Sequence, residues 1–254
     1  MSRRRLLLWL GGLLLAAAAA YVLIAFVIDW PDWAEPVARF ILTEGLPATL
    51  QVSAAAVVGA TVIGILLGTL LTIDFWPSRA VIRFYVEVFR GLPILVTVFI
   101  VYFGLPALTQ TLKFGPLTAT ALALILWGSA QVAEATRGAV QSIPHEQHEA
   151  AAALGFGWIG RHRSVVLPQA LRRLLPPLVG LLVNIIQNST LAAAIGGVEI
   201  LQAAKSQTER LTFFPPAGIG EIHAFEIFAA VMVLFFLISF PLTRLAAYLE
   251  RRLV

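Results

Sequence analysis

The sequence predicts an all-α membrane protein with about six transmembrane helices. Hydrophobic residues make up 59% of its 254 residues and charged residues only 13%, against ~25% charged in an ordinary soluble domain. Uncharged runs of roughly 20 residues recur, long enough at 1.5 Å per residue to cross ~30 Å of hydrocarbon. Period-two alternation is absent, and the runs are far longer than the ~10-residue strands of a membrane barrel, which excludes that architecture.

The apolar runs begin near Leu6, Leu46, Leu92, Phe114, Leu174 and Ile227. The first follows Arg3, Arg4 and Arg5 and continues to Ile28, beyond the ~7 to 15 residues of a signal peptide's apolar region, so a retained helix is expected. Residues 29–44 contain Trp30, Trp33 and two prolines and read as an interfacial segment on the outer surface, where indole rings favour the headgroup zone. Residues 1–44 then form an N-terminal helix with its outer segment, and residues 45–254 form the main membrane domain. The last run is short, and its helix is expected to start near His223 and Glu226.

Basic residues set the orientation. With the N-terminus inside, six crossings leave only Arg39, Lys113, Lys205 and Arg210 outside, and the rest of the 18 basic residues fall inside. This satisfies the positive-inside rule and puts both termini and the loop at about residues 137–173 in the cytoplasm. The formal charge of +4 follows from that asymmetry and from contact with anionic membrane lipid, so no nucleic acid partner is implied. Cysteine is absent, which removes disulfide and thiolate chemistry. His145, His148 and Glu149 sit close in sequence but read as a solvated helix face, and no metal is implied.

The loop itself has a pattern. Pro144 suits a helix start, residues 145–154 are good helix formers, and Gly155 fits the stop because it tolerates positive φ. A second short helix at about residues 158–166 is expected to end before Pro168, giving helix, sharp turn, helix. Glu149, Ala150, Ala151, Gly155, Leu167 and Pro168 stand at the spacing of the EAA loop of ATP-binding-cassette importer permeases, with Val165 in place of the usual Ile. Arg90-Gly-Leu-Pro93, residues 133–138 and residues 142–147 also resemble segments of the polar amino acid uptake subfamily, over roughly residues 45 to 250.

That resemblance implies a five-helix type I importer permease core plus an extra N-terminal helix, in a bacterial cytoplasmic membrane. It implies a second permease subunit, identical or homologous, two cytosolic ATPase subunits and an external solute-binding protein. The loop would be the coupling element, with Leu154 and Phe156 in a groove of the ATPase and Glu149 pairing with basic groups. No cofactor is expected in this chain. ATP would be bound by the partner subunits, since the only lysines, Lys113 and Lys205, do not follow the glycine of a phosphate-binding loop, and no G-x-S-x-G or H-E-x-x-H motif is present. The chain therefore reads as a transport subunit, not an enzyme. A secondary transporter would show paired repeats with broken helices, which are not visible.

Polar residues inside apolar runs mark a candidate solute path. Asn184, Gln187, Asn188, Ser189 and Thr190 cluster in the fifth run, where amides can serve both ends of a zwitterion or can bond to neighbouring helices. Gln51, Ser53, Thr97, Ser129 and Gln131 are secondary candidates. Glu134 and Arg137, three residues apart, are expected to pair along one helix. Subfamily members often carry Asn followed by Gln or Glu one turn before the cluster. Gly180 and Leu181 stand there instead, which leaves the solute open between polar amino acids and other small polar solutes.

Overall fold

A computed structural model describes residues 32–73, 75–109, 111–213 and 223–253. The expected first helix, residues 6–28, lies outside the described residues. Among them every regular element is helical, and four helices, or five if a bent pair is taken as one, are long and apolar enough to cross a membrane. The count reaches the five expected for the core when the bent pair is taken as one.

Helix α1 (Ala34–Leu70) is continuous through a π turn at Ile41–Gly45. It starts well before the expected Leu46, because Val37 and Ile41 are buried against Ile200, Ala203 and Leu211. That burial makes residues 34–45 helical and continuous with the span. Helix α2 (Trp76–Gly91) was not foreseen. It is followed by α3 (Ile94–Thr109) at a bend of 107°, and only the two taken together are long and apolar enough to cross a membrane. The bend falls where Pro93 forces Leu92 into extended geometry, φ −81° and ψ 140°. Helix α4 (Pro116–Gln141) follows, with Pro116 in its first turn.

The loop contains α5 (His145–Ala153), a short turn at Trp158–Arg161 and a π turn at His162–Val166. The last of these runs directly into α6 (Leu167–Asn188). The expected break before Pro168 is therefore absent. Pro168 occupies the first turn of α6, where a missing N–H costs little, and Val166 is helical at φ −76°, ψ −54°. Pro176 and Pro177 lie inside α6 and free the carbonyls of Arg172 and Arg173 from intrahelical donors. A 3-10 segment, Ser189–Ile195, ends at Gly196 with φ +78°. Helix α7 (Ile200–Phe213) then packs on the start of α1, and α8 (Ala224–Leu253) closes the bundle against α6 and α7. Met232, Phe236, Leu237 and Phe240 of α8 face outward, as the lipid side of a span does.

The tightest packing joins α1 to α4. Ala56, Ala60, Gly64 and Gly68 recur every four residues on the buried face of α1, so the two backbones approach with no bulky side chain between them. Gly128 of α4 meets the same seam from the other side, next to Ala60 and Ile185.

Glu199 sits in the connection ahead of α7, outside the spans. Its buried carboxylate accepts from the N–H groups of Leu201 and Gln202, each at 2.9 Å, and Thr49 Oγ1 accepts from Ile200 N at 3.1 Å. Burial pushes its pKa up to about 7, against the lowering effect of those two backbone bonds and of Thr49. The folded state thus holds a proton that an unfolded glutamate releases near pH 4.5. The sign follows: stability from this group is complete below that value and is lost as pH rises through about 7. Melting curves at about pH 5 and about pH 8 should therefore show a larger fall for the native chain than for Glu199→Gln. Equal falls would remove Glu199 as the cause.

Candidate functional site

The loop between α4 and α6 is held at its base and bare at its tip. At the base, Val166, Ile143 and Ala170 join Val132, Val140 and Leu174 in one buried cluster. Arg173 Nη1 donates to Ser142 Oγ at 3.0 Å and also to the Ser142 carbonyl, and Gln169 Nε2 reaches Gln147 Oε1 at 3.4 Å. These contacts tie the adjoining ends of α4 and α6 to the loop, so displacement of the loop moves both helices. Ala151 is buried within the loop, whereas Glu149 and Ala150 are exposed.

At the tip, Gly155 takes φ +82°. Its N–H donates to Ala152 O at 2.9 Å and that of Phe156 donates to Ala151 O at 3.1 Å. This is the paired closure of a helix by a left-handed residue, which satisfies two end carbonyls and swings the chain sharply away. Leu154 is left 78% exposed and Phe156 also projects, beside Ile159 at 74%. Ile159 had not been singled out from the sequence; an apolar residue four positions past Gly155 was the available signal. Glu149 does not reach a distant basic group. Its Oε1 lies 3.1 Å from Nδ1 of His145 one turn back, and both side chains are largely exposed. Leu167 and Pro168 begin α6 and carry the loop into the membrane.

Deeper in the bundle, a cavity of about 670 Å³ opens between α2, α4, α6 and α8. Its polar wall is Arg90, Gln131, Glu134, Asn184 and Gln187, with Thr243 opposite. Arg90 Nε donates to Gln131 Oε1 at 3.3 Å and its Nη1 lies 3.9 Å from Glu134 Oε1. Arg137 Nε donates to Glu134 Oε2 at 3.0 Å. One carboxylate thus stands between two guanidiniums, which leaves the cluster with a cationic excess. Gly180 and Leu181, the positions that depart from the subfamily pattern, line the same cavity.

The amide cluster is divided. Asn184 and Gln187 face the cavity, but Asn188 donates through Nδ2 to Asn184 O at 2.8 Å. Ser189 and Thr190 bond back to Ile186 O at 2.7 Å and Gln187 O at 2.8 Å, which stabilises the 3-10 turn. Of the secondary candidates, Gln131 lines the cavity, Ser129 bonds to the Tyr85 hydroxyl at 2.7 Å, and the Ser53 and Thr97 hydroxyls are buried without a protein partner.

A family model described as "Binding-protein-dependent transport system inner membrane component" matches residues 60–254. The chain belongs to this family of inner-membrane transport components. Among its relatives is the glutamine transport system permease protein GlnP of Escherichia coli (strain K12), 36% identical over 213 residues, covering 84% of this chain and 93% of that protein. The probable amino-acid ABC transporter permease protein YckA of Bacillus subtilis (strain 168) is 37% identical over 166 residues, 64% of this chain and 71% of that one. A solved amino acid ABC transporter, crystallised with histidines, aligns with a TM-score of 0.75 at 27% identity, over 88% of this chain and 99% of the other. The MetNI methionine ABC transporter in an inward-facing form shares the fold, with a TM-score of 0.63 at 20% identity over 85% of this chain and 98% of that one. As a family member, this chain is a multi-pass membrane subunit of a transport system.

Proposed function

We propose that this chain is a permease subunit of an ATP-driven importer of polar amino acids, forming half of the translocation path in the bacterial cytoplasmic membrane. It pairs with a second copy or a homologue, couples to two cytosolic ATPase subunits through Leu154, Phe156 and Ile159, and receives solute from an external binding protein. Both termini lie in the cytoplasm. Closure of the ATPases would draw the two loops together and rotate α4 and α6, switching the cavity between inward and outward access.

The observation that carries the solute assignment is the cavity wall. Arg90 is partly exposed there, with Glu134 already engaged by Arg137. A guanidinium so placed suits the α-carboxylate of an amino acid, and Gln131, Asn184 and Gln187 can both donate to and accept from an uncharged polar side chain. The cationic excess disfavours lysine-like or arginine-like solutes. Gly180 and Leu181 add room rather than polarity. The assignment agrees with the glutamine named for GlnP.

Reconstituted uptake with a panel of neutral, acidic and basic amino acids tests this. Neutral polar amino acids should be taken up best. Gln187→Leu should lower their uptake about tenfold or more, as loss of a buried hydrogen-bonding partner does, while the ATPases still bind. Preference for a basic amino acid, or normal uptake by the variant, would defeat the assignment.

A further inference from the structure

A second cavity, of about 780 Å³, lies at the cytoplasmic end of the bundle and takes no part in the reading above. It is bounded by the ends of α1 and α4, the basic side of α2, the start of α5 and the turn at Trp158–Arg161. Arg79, Arg83, Arg137 and Arg161 line it with His145 and His148, and its described lining contains no carboxylate. Arg83 meets Glu87 at 2.9 Å and Arg137 meets Glu134 outside the cavity, while Arg79 donates to Ile73 O at 3.0 Å. The buried Nε of Arg161 meets no acceptor among the described residues. An unmet guanidinium N–H in a basic recess calls for an anion.

The neighbouring helix shows what kind. On α2, Ile82 and Val86 are buried, Arg79 and Arg83 lie on one flank, and the exposed side runs through Trp76 and Ala80 to Phe84 and Val81, the last two about 70% exposed. Aromatic and aliphatic residues beside a basic edge on a short helix are the signature of an element seated at the headgroup boundary. A molecule with its charge at Arg83 and its body over Trp76 and Phe84 is a lipid rather than a soluble ion.

We infer that this cavity seats the headgroup phosphate of an anionic phospholipid of the cytoplasmic leaflet, such as a phosphatidylglycerol. The phosphate bridges Arg83 of α2 to Arg161 of the coupling loop and Arg137 of α4, with the acyl chains along the exposed face of α2. A phosphatidylcholine fits poorly, because its choline brings a cation among four guanidiniums. The lipid would then link the interfacial helix to the loop that moves during transport.

The test is lipid retention by the purified permease assembly in mixed phosphatidylcholine and phosphatidylglycerol, read by native mass spectrometry. Arg83→Gln with Arg161→Gln should lower phosphatidylglycerol retention about thirtyfold, from ~1 kcal/mol for each basic residue. Arg163→Gln with Arg172→Gln removes the same charge from the same side of the membrane away from the cavity and should leave retention near the native level. Equal loss in both pairs, or in neither, overturns the site. Displacement of the lipid by inorganic phosphate at millimolar concentration would make it a soluble-anion site and overturn the lipid assignment. Loss of the ATPase from the Arg83/Arg161 variant in lipid-free detergent would make the cavity a protein contact and overturn it as well.

Discussion

Gly155→Val is expected to abolish solute-stimulated ATP hydrolysis and uptake while leaving insertion of the chain intact. The cause lies in the backbone, since a Cβ at Gly155 would meet nothing within 4 Å. The residue sits at φ +82°, a region that costs a side-chain-bearing residue ~1 to 2 kcal/mol, more for a β-branched one. The valine would leave that region, the Ala152 and Ala151 bonds would break, and Leu154 and Phe156 would no longer be presented together. Gly155→Asn supplies the discriminating companion, because asparagine tolerates the left-handed region; it should retain most of the coupling. The measurement is ATPase activity of the assembled complex with and without loaded binding protein. Normal stimulation in the valine variant would mean that the turn does not transmit closure, and equal loss in both variants would point to a side-chain clash with the partner.

How much of this could be read from the chain depends on whether a feature is local. The turn at Gly155 was legible because its parts, Ala-rich helix, glycine and basic segment, are contiguous and glycine's conformational freedom has a single use there. The spans were legible from composition, but their ends were not. Val37 belongs to α1 because of α7, more than 160 residues on, and no local pattern announces that contact. Helix α2 escapes a search for spans because its mixed basic and aromatic residues make no apolar run; only its one-sided burial reveals it. The cavity wall takes Arg90, Gln131 and Asn184 from three helices, so its membership is set by packing. In the amide cluster, helical register alone separates Gln187 from Asn188, and the 3-10 turn at Ser189 alters that register just where it matters.

The four-residue recurrence Ala56, Ala60, Gly64, Gly68 was available in the sequence and unread, and it supports the other large prediction. Gly64→Val should prevent recovery of a folded, monodisperse permease. A Cβ at Gly64 would lie 2.5 Å from Val132 Cβ and 2.8 Å from Ser129 O, and at Gly68 it would run into the Ala133 carbonyl and the Thr136 side chain. Backbone oxygens cannot rotate away, so α1 and α4 must separate along the seam that also carries Ala60, Gly128 and Ile185. Overpacking at a compliant site costs ~1 to 3 kcal/mol; a seam formed by two backbones has less freedom, and the cost should reach the upper end or beyond. Two control positions isolate the cause. Gly138 on α4 has nothing within 4 Å of its Cβ position, so Gly138→Ala should melt at or slightly above the native temperature, since alanine favours a helix over glycine by ~1 kcal/mol. Val62 is exposed on the same helix as Gly64, and Val62→Leu should be neutral. Size-exclusion profiles and thermal melts in detergent decide the matter: a monodisperse Gly64→Val protein melting with the controls would show that α1 and α4 need no close approach, and that the small-residue stripe is incidental to the fold.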